Sequence, residues 1–353
     1  MVTREEVLAA LEGVRDPHTG DSIVATGAAR AITIDAGEVR FVIEIDPKRS
    51  EEMEAVRVQA EGVVRRLDSV TKVSAMLTAH SEKLPPNLRT PKRTDPRNPQ
   101  AIPGVKRIVA IASGKGGVGK STVAANLACA VSLSGRRVGL LDADVYGPSQ
   151  PRMLGISDRP ASPDGKIIIP LHNHGVTMMS IGLMTGEDQA MIWRGPMLMG
   201  ALQQMMGQVR WGELDVLFVD LPPGTGDVQL TLTQKFQVDG AIVVSTPQEV
   251  ALADARKGIN MFNQMKTPIL GLVENMAAYI CPNCGHEDHI FGQGGVAAEA
   301  KKLGVPLLAQ IPLSPATRVA ADSGTPIVVC NSQSAPARVF MALARDLIDQ
   351  DLV

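Results

Sequence analysis

Apolar residues follow two rhythms along this chain, and the change falls near Val105. In the first stretch, Thr3 and Glu6 form a capping box that starts a helix through Val7, Leu8 and Leu11. Asp16-Pro17-His18-Thr19-Gly20 reads as a turn. Alternating runs at Ala31 to Ile34 and Val39 to Ile45 predict two strands joined at Asp35-Ala36-Gly37. Ser50 then caps a helix with Met53, Val56, Ala60, Val63, Val64 and Leu67 on one face, and Val70 to Thr78 returns as a third strand. Helix, strand, strand, helix, strand over residues 1–79 is a small α+β unit.

From Val105 onward, unbroken apolar runs alternate with helical segments, which predicts an α/β fold with a mostly parallel sheet over 105–353. The runs are Ile108 to Ala112, Val138 to Leu141, Val216 to Val219, Ala241 to Val244, Ile269 to Val273 and Leu307 to Ile311. Polar or proline-bearing residues follow each one, at the sheet edge where open α/β folds bind ligands. Between the two units, residues 80–104 form a basic linker. Six prolines between Pro85 and Pro103, mixed with Arg89, Lys92, Arg93 and Arg97, keep it semi-extended and solvated.

The apolar run at Ile108 opens into Gly114-Lys115-Gly116-Gly117-Val118-Gly119-Lys120-Ser121-Thr122, and then into a helical pattern. Its spacing fits G-x-x-x-x-G-K-[ST], in the strand-to-helix context that motif requires. Glycines let backbone N–H groups turn inward around phosphate oxygens, and the following helix aims its positive end at them. Lys120 is expected to reach the β- and γ-phosphates, Ser121 to ligate Mg²⁺, and Thr122 to bond an α-phosphate. A triphosphate with Mg²⁺ also needs carboxylates for the metal's shell and for the attacking water. Asp220, ending a buried strand, fits the first role, and the segment Asp220 to Asp227 has the glycines of a phosphate-sensing loop.

Composition narrows the reading. The 353 residues are 44% hydrophobic and 20% charged, so a sizeable core is available. Only 3% is aromatic and the net charge is −2, which gives no general pull toward nucleic acid or anionic membrane. No apolar run approaches a membrane span, the start Met1-Val2-Thr3-Arg4 is no signal peptide, and four cysteines form no disulfide framework. A reducing cytoplasm is the natural setting.

Two of those cysteines lie in Cys281-Pro282-Asn283-Cys284, a spacing that grips a soft metal centre from one side. Cys129 and Cys330 sit in apolar surroundings and are expected in the core. The missing two ligands can come from a second copy, whose own pair would complete four thiolates and suit a bridging [4Fe–4S] cluster. A zinc site of Cys281, Cys284, His286 and His289, zinc on four bridging thiolates, and a redox pair remain open alternatives.

The second lysine, Lys115, makes the glycine run resemble the deviant Walker A motif of ParA/MinD-type ATPases. In that family this lysine crosses a dimer interface to the partner's nucleotide. By the same resemblance, Asp142-x-Asp144 is a first switch, with Asp144 orienting the water and Asp142 supporting the Mg²⁺ shell, while Asn275 contacts adenine. Residues 1–79 look like the small domain of iron–sulfur cluster assembly factors. That domain often carries a cysteine after its second strand; Asp46-Pro47-Lys48-Arg49 stands there instead, so a docking role is expected. Together with Trp193-Arg194-Gly195-Pro196-Met197 and the cysteine pair, the chain resembles the Mrp (ApbC-type) family of P-loop ATPases. The resemblance implies a homodimer that binds and slowly hydrolyses ATP, holds a labile [4Fe–4S] cluster at its interface, and works with assembly factors to deliver it to apoproteins. The competing readings are a partitioning or positioning ATPase acting on DNA or membrane, and a dinitrogenase-reductase-like electron carrier. The last expects two separated single cysteines. The C-terminal run Ala335 to Val353, with Asp346, Asp349 and Asp351, does not favour lipid.

Overall fold

In a computed structural model of the chain, the described residues are 2–35, 37–45, 50–67, 69–79, 99–163, 165–184, 195–281 and 283–353. Asp46 to Arg49, most of the proline-rich linker, Trp193-Arg194 and Pro282 lie outside them. The chain divides into two compact units, Met1–Arg93 and Thr94–Val353.

The first unit begins with α1 (Arg4–Leu11). Its capping box is formed: Glu6 N–H donates to Thr3 Oγ1 at 3.3 Å, and Thr3 N–H donates to Glu6 Oε2 at 2.8 Å. Strands β1 (Ala29–Asp35) and β2 (Glu38–Ile45) pair antiparallel; α2 (Ser50–Val64) then crosses over, so that β3 (Lys72–Ala79) joins β2 in parallel. Alternation decides which face is covered. Val39, Phe41, Ile43 and Ile45 are buried with Met53, Val56, Ala60 and Val64 of α2, while Arg40 faces out. The third strand begins later than its apolar pattern suggests. Val70 N–H closes a turn onto Leu67 O at 3.3 Å, and Ser69 has a left-handed φ of 73°.

In the second unit the elements follow as β4 (Val105–Ser113), α3 (Lys120–Leu133), β5 (Val138–Asp142), α4 (Gln150–Met153), β6 (Leu171–Asn173), β7 (Val176–Ser180), α5 (Gly195–Gly207), β8 (Leu214–Asp220), α6 (Asp227–Lys235), β9 (Gly240–Ser245), α7 (Glu249–Gln264), β10 (Ile269–Ile280), β11 (Glu287–Asp288), α8 (Gly295–Leu303), β12 (Leu307–Leu313), α9 (Pro315–Asp322), α10 (Ile327–Cys330) and α11 (Ala335–Asp349). The nine-stranded sheet runs β11-β10-β9-β4-β8-β5-β7-β6, with β12 also on β10. Among the described residues of this sheet, β6 and β11 alone pair antiparallel. All six expected strands lie inside this sheet.

Both faces of the sheet are covered, which is why its strands read as unbroken apolar runs. Val216 and Phe218 point into one core with Leu127, Val131 and Phe340. Leu217 and Val219 point into the other with Met205, Trp211 and Phe262. The chain leaves β4 and returns at β5, beyond β8, so a crevice opens at the carboxyl ends of β4, β8 and β5. Strand β10 runs past Asn275 to Ile280, through a left-handed φ of 58° at Met276 and a slip in its pairing with β12. That extension carries the chain directly to Cys281.

Candidate functional site

The loop between β4 and α3 is shaped by glycine where nothing else fits. Gly117 and Gly119 both have φ of 82°, and Gly119 caps α3 with no side chain in the way. At Gly114 a Cβ would collide with the Asp254–Ala255 backbone of α7, so that helix presses directly against the loop. Residues 115–122 line a cleft together with Asp144, Ser149, Met153 and Pro223. The N-terminus of α3 opens onto it, with backbone donors and a positive helix end suited to phosphate.

Behind the cleft stand three carboxylates and one cation. Lys120, only 6% exposed, places Nζ 2.5 Å from Asp220 Oδ1, 3.5 Å from Asp144 Oδ2 and 3.2 Å from Ser121 Oγ. Asp220 is fully buried at the end of β8 and sits beside Asp142 in parallel register. Asp142 is also fully buried, and both of its oxygens are taken. Asp144 N–H donates to Oδ1 at 3.1 Å; Ser149 N–H, Gln150 N–H and the Ser180 hydroxyl donate to Oδ2 at 3.0, 3.1 and 3.0 Å. Burial first, and then the Asp220 charge, push its pKa up to about 7. Asp142 therefore anchors the Asp144 loop, and it stands in register with Asp220, the carboxylate beside which the Mg²⁺ shell expected of it would form. Asp144 lines the cleft, its pKa raised by burial against the opposing pull of Lys120. Oxygen donors of this kind suit Mg²⁺. Ser121 Oγ would hold it, joined by Asp220 Oδ1 once Lys120 turns to a phosphate, with Asp144 beside them on the cleft wall.

The loop after β8 is held closely. Gly224 N–H donates to Ser113 O at 2.9 Å, and the buried Gln229 Nε2 donates to Pro222 O and Gly224 O at 2.7 and 3.0 Å. Asn275 is only 7% exposed, and its Nδ2 donates to Val118 O at 2.8 Å. It braces the glycine loop from β10.

Past Ile280 the chain turns tightly. Cys281 N–H donates to His286 O, and Gly285 N–H, at φ 71°, donates to Cys281 O, both at 2.9 Å. The turn leaves Cys281 partly exposed and Cys284 exposed. The backbone N–H groups of Cys284, then Asn283, aim at the Cys281 sulfur and lower its pKa, favouring the thiolate that soft metals bind. His289 Nδ1 lies 2.9 Å from Ala277 O, tying down the base of the hairpin. Among the described residues, no three His, Cys, Asp or Glu side chains gather as a metal site, so the zinc set of Cys281, Cys284, His286 and His289 is not assembled. Cys129 is buried in α3 and its thiol is pushed up to about 12 by desolvation. Cys330 is exposed, against expectation: α10 is a single turn whose Ile327 and Val328 face the core, which leaves its end outside.

The fold, the glycine loop with Lys120, and the acidic strand ends define a P-loop NTPase. More closely, the chain belongs to the NUBPL iron-transfer P-loop NTPase family, whose model matches residues 104–348. A second model, iron-sulfur cluster assembly protein, matches residues 4–75. The chain is similar to a Synechocystis protein named iron-sulfur cluster carrier protein, 44% identical over 98% of this chain and 97% of that one. An Escherichia coli protein of the same name is 51% identical over 76% of this chain and 71% of its own length. Among solved structures, a nucleotide-binding protein from Archaeoglobus fulgidus in complex with ADP is 40% identical, with a TM-score of 0.56 over 63% of this chain and 87% of that one. The Pyrococcus furiosus cell division ATPase MinD, 24% identical with a TM-score of 0.55 over 69% of this chain and 99% of its own, shares the fold. Among the described residues no helix is long and apolar enough to cross a membrane.

Gln150, Ser180 and Gln229 were not foreseen from sequence. Each is a neutral polar residue with no motif spacing of its own, and only the folded strand ends bring it to the site.

Proposed function

We propose that this chain is an ATP-hydrolysing carrier of iron–sulfur clusters, acting as a homodimer in the reducing cytoplasm. Cys281 and Cys284 of each copy contribute two thiolates to one bridging [4Fe–4S] cluster, which is the cargo passed to apoproteins. The observation that carries this reading is the half-complete donor set at the hairpin. Two accessible sulfurs, one of them favoured as thiolate, stand on a firm turn, and no third ligand within the chain joins them among the described residues. The names of the relatives support the cargo.

In the nucleotide cleft, Gly114 to Gly119 and Thr122 receive the phosphates, Lys120 leaves Asp220 for the β- and γ-phosphates, and Asp144 orients the attacking water. Mg²⁺ supplies charge neutralisation at the phosphates. Lys115 reaches the partner copy's nucleotide. Strand β10 links the two sites: Asn275 bonds Val118 of the glycine loop, and the same strand continues to Cys281. Movement of the loop on nucleotide binding therefore shifts the footing of the cysteine hairpin, and coupling of this kind is reciprocal. Residues 1–79 dock assembly factors or clients, 80–104 tether them, and 105–353 carry the ATPase.

The test is cluster transfer. Anaerobically loaded protein is mixed with an apoprotein whose activity needs a [4Fe–4S] cluster, with and without ATP. Activation by the wild type, and none by Cys281→Ala or Cys284→Ala, is expected; full activation by the cysteine variants would contradict the carrier role.

A further inference from the structure

Gln150 is fully buried at the start of α4 and touches three elements that meet at the cleft. Its backbone N–H donates to Asp142 Oδ2 at 3.1 Å. Its side-chain Nε2 donates to Ser121 O at 2.9 Å and to Asp220 Oδ2 at 2.8 Å. Both side-chain partners are acceptors only, so the orientation of the amide is forced. The other end of the same amide, Oε1, is buried and has no partner among the described residues. An unpartnered buried acceptor is unfavourable, so the glutamine's own hydrogen bonding does not account for its placement. The placement is explained by what the nitrogen does to Asp220.

We infer that Gln150 is a positioning residue that fixes the Asp220 carboxylate for the nucleotide-bound metal ion, an inference that rests on the NTPase reading above. Asp220 has two oxygens and two partners: Lys120 on Oδ1 and Gln150 on Oδ2. When Lys120 turns to a phosphate, Oδ1 is freed toward the cleft, and Gln150 keeps the carboxylate from rotating away. Through Ser121 O the same amide also ties the carboxylate to the first turn of α3, next to the hydroxyl that shares the metal. Partners that orient a metal ligand in this way matter nearly as much as the ligand itself.

The experiment uses the full chain and Gln150→Met, which keeps the volume and removes both donors. Three quantities are read: ADP affinity without metal, ATP affinity as Mg²⁺ is titrated, and kcat against KM. The expected result is unchanged metal-free ADP affinity, an Mg²⁺ midpoint raised about ten-fold or more, and a fall in kcat with KM for ATP nearly constant. An Mg²⁺ midpoint and kcat equal to wild type would overturn the inference. So would loss of metal-free ADP binding in step with a lower melting temperature, which is the mark of a merely structural role. If the methionine variant does not fold, Gln150→Asn, whose shorter amide falls short of Asp220, is read against the same outcomes. A wild type that binds ATP with Mg²⁺ yet never hydrolyses it would contradict the NTPase reading, while the metal titration would still decide the role of Gln150.

Discussion

The nucleotide cleft and the cysteine hairpin lie on one sheet but are built in opposite ways. In the cleft, Asp142 has four hydrogen-bond donors, Asp220 has Lys120 and Gln150, and the loop after β8 is held by Gln229. The three buried acids there are each held by donors of the same chain. At the hairpin the backbone is equally well bonded, but the two sulfurs face outward without further ligands among the described residues. A buried site must satisfy its charges internally or lose the desolvation energy outright. An exposed soft donor pair can wait for a partner. The difference teaches that the buried carboxylates of one site are satisfied within the chain, whereas the sulfurs of the other are left open to the second copy that we propose.

That contrast can be broken most forcefully at Lys120. Lys120→Ala removes the cation that, among the described residues, alone pairs with the buried acids there, and the loss of a buried charge partner is worth about 3 kcal/mol or more. We expect ATP affinity to fall beyond detection by titration calorimetry, with the cysteine hairpin still able to take up iron and sulfide. Replacing Cys281 or Cys284 by serine should do the converse. Cluster absorption after anaerobic reconstitution is lost, and ATP affinity stays within about two-fold of the cluster-free wild type, since neither residue contacts the cleft.

A smaller effect sharpens the account of Asp142. With its pKa raised to about 7 when folded, Asp142 keeps a proton that the unfolded chain releases in the ordinary carboxylate range. Its contribution to stability is then fully present at acidic pH and is lost as pH rises through 7. Urea unfolding of the nucleotide-free protein between pH 5 and 8 should show that decline. Asp142→Asn, which cannot ionise, should flatten it, and an equal slope in both proteins would remove the buried carboxylate as its cause. Smallest of all, Asn275→Ala deletes one hydrogen bond beneath the glycine loop, for about 1 kcal/mol of stability. Its more telling readout is the change in cluster absorption on adding ATP, which should shrink when β10 no longer grips Val118.

Most of the architecture was open to reading in the residues themselves, because both periodicities are strong: alternation in β2, and unbroken burial in β5 and β9. The glycine loop was equally open, since its chemistry demands both composition and spacing. What escaped the sequence lies in contacts that periodicity does not carry. Asp142 reads as one acid of a pair, and only the fold reveals that four donors already hold it. Asn275 follows an apolar run like any ligand-facing residue, and only the fold reveals its bond to Val118. Gln150 and Gln229 have no charge to announce them. Cys330 follows an apolar run, but a helix of a single turn buries one side only. Asn275 and Gln150 act through partners far apart in the chain, while Asp142 and Gln229 are held mostly within their own loops, whose conformation apolar periodicity does not encode.

The central claim is that each chain supplies half of a cluster site, and one measurement addresses it directly. Protein reconstituted without oxygen from iron and sulfide is passed through size-exclusion chromatography with light scattering, and iron, zinc and protein are quantified in the same peak. The account predicts one [4Fe–4S] cluster per pair of chains, with dimer and cluster lost together in Cys281→Ser. A monomer that carries a full cluster alone, or a peak that holds only zinc, would contradict it.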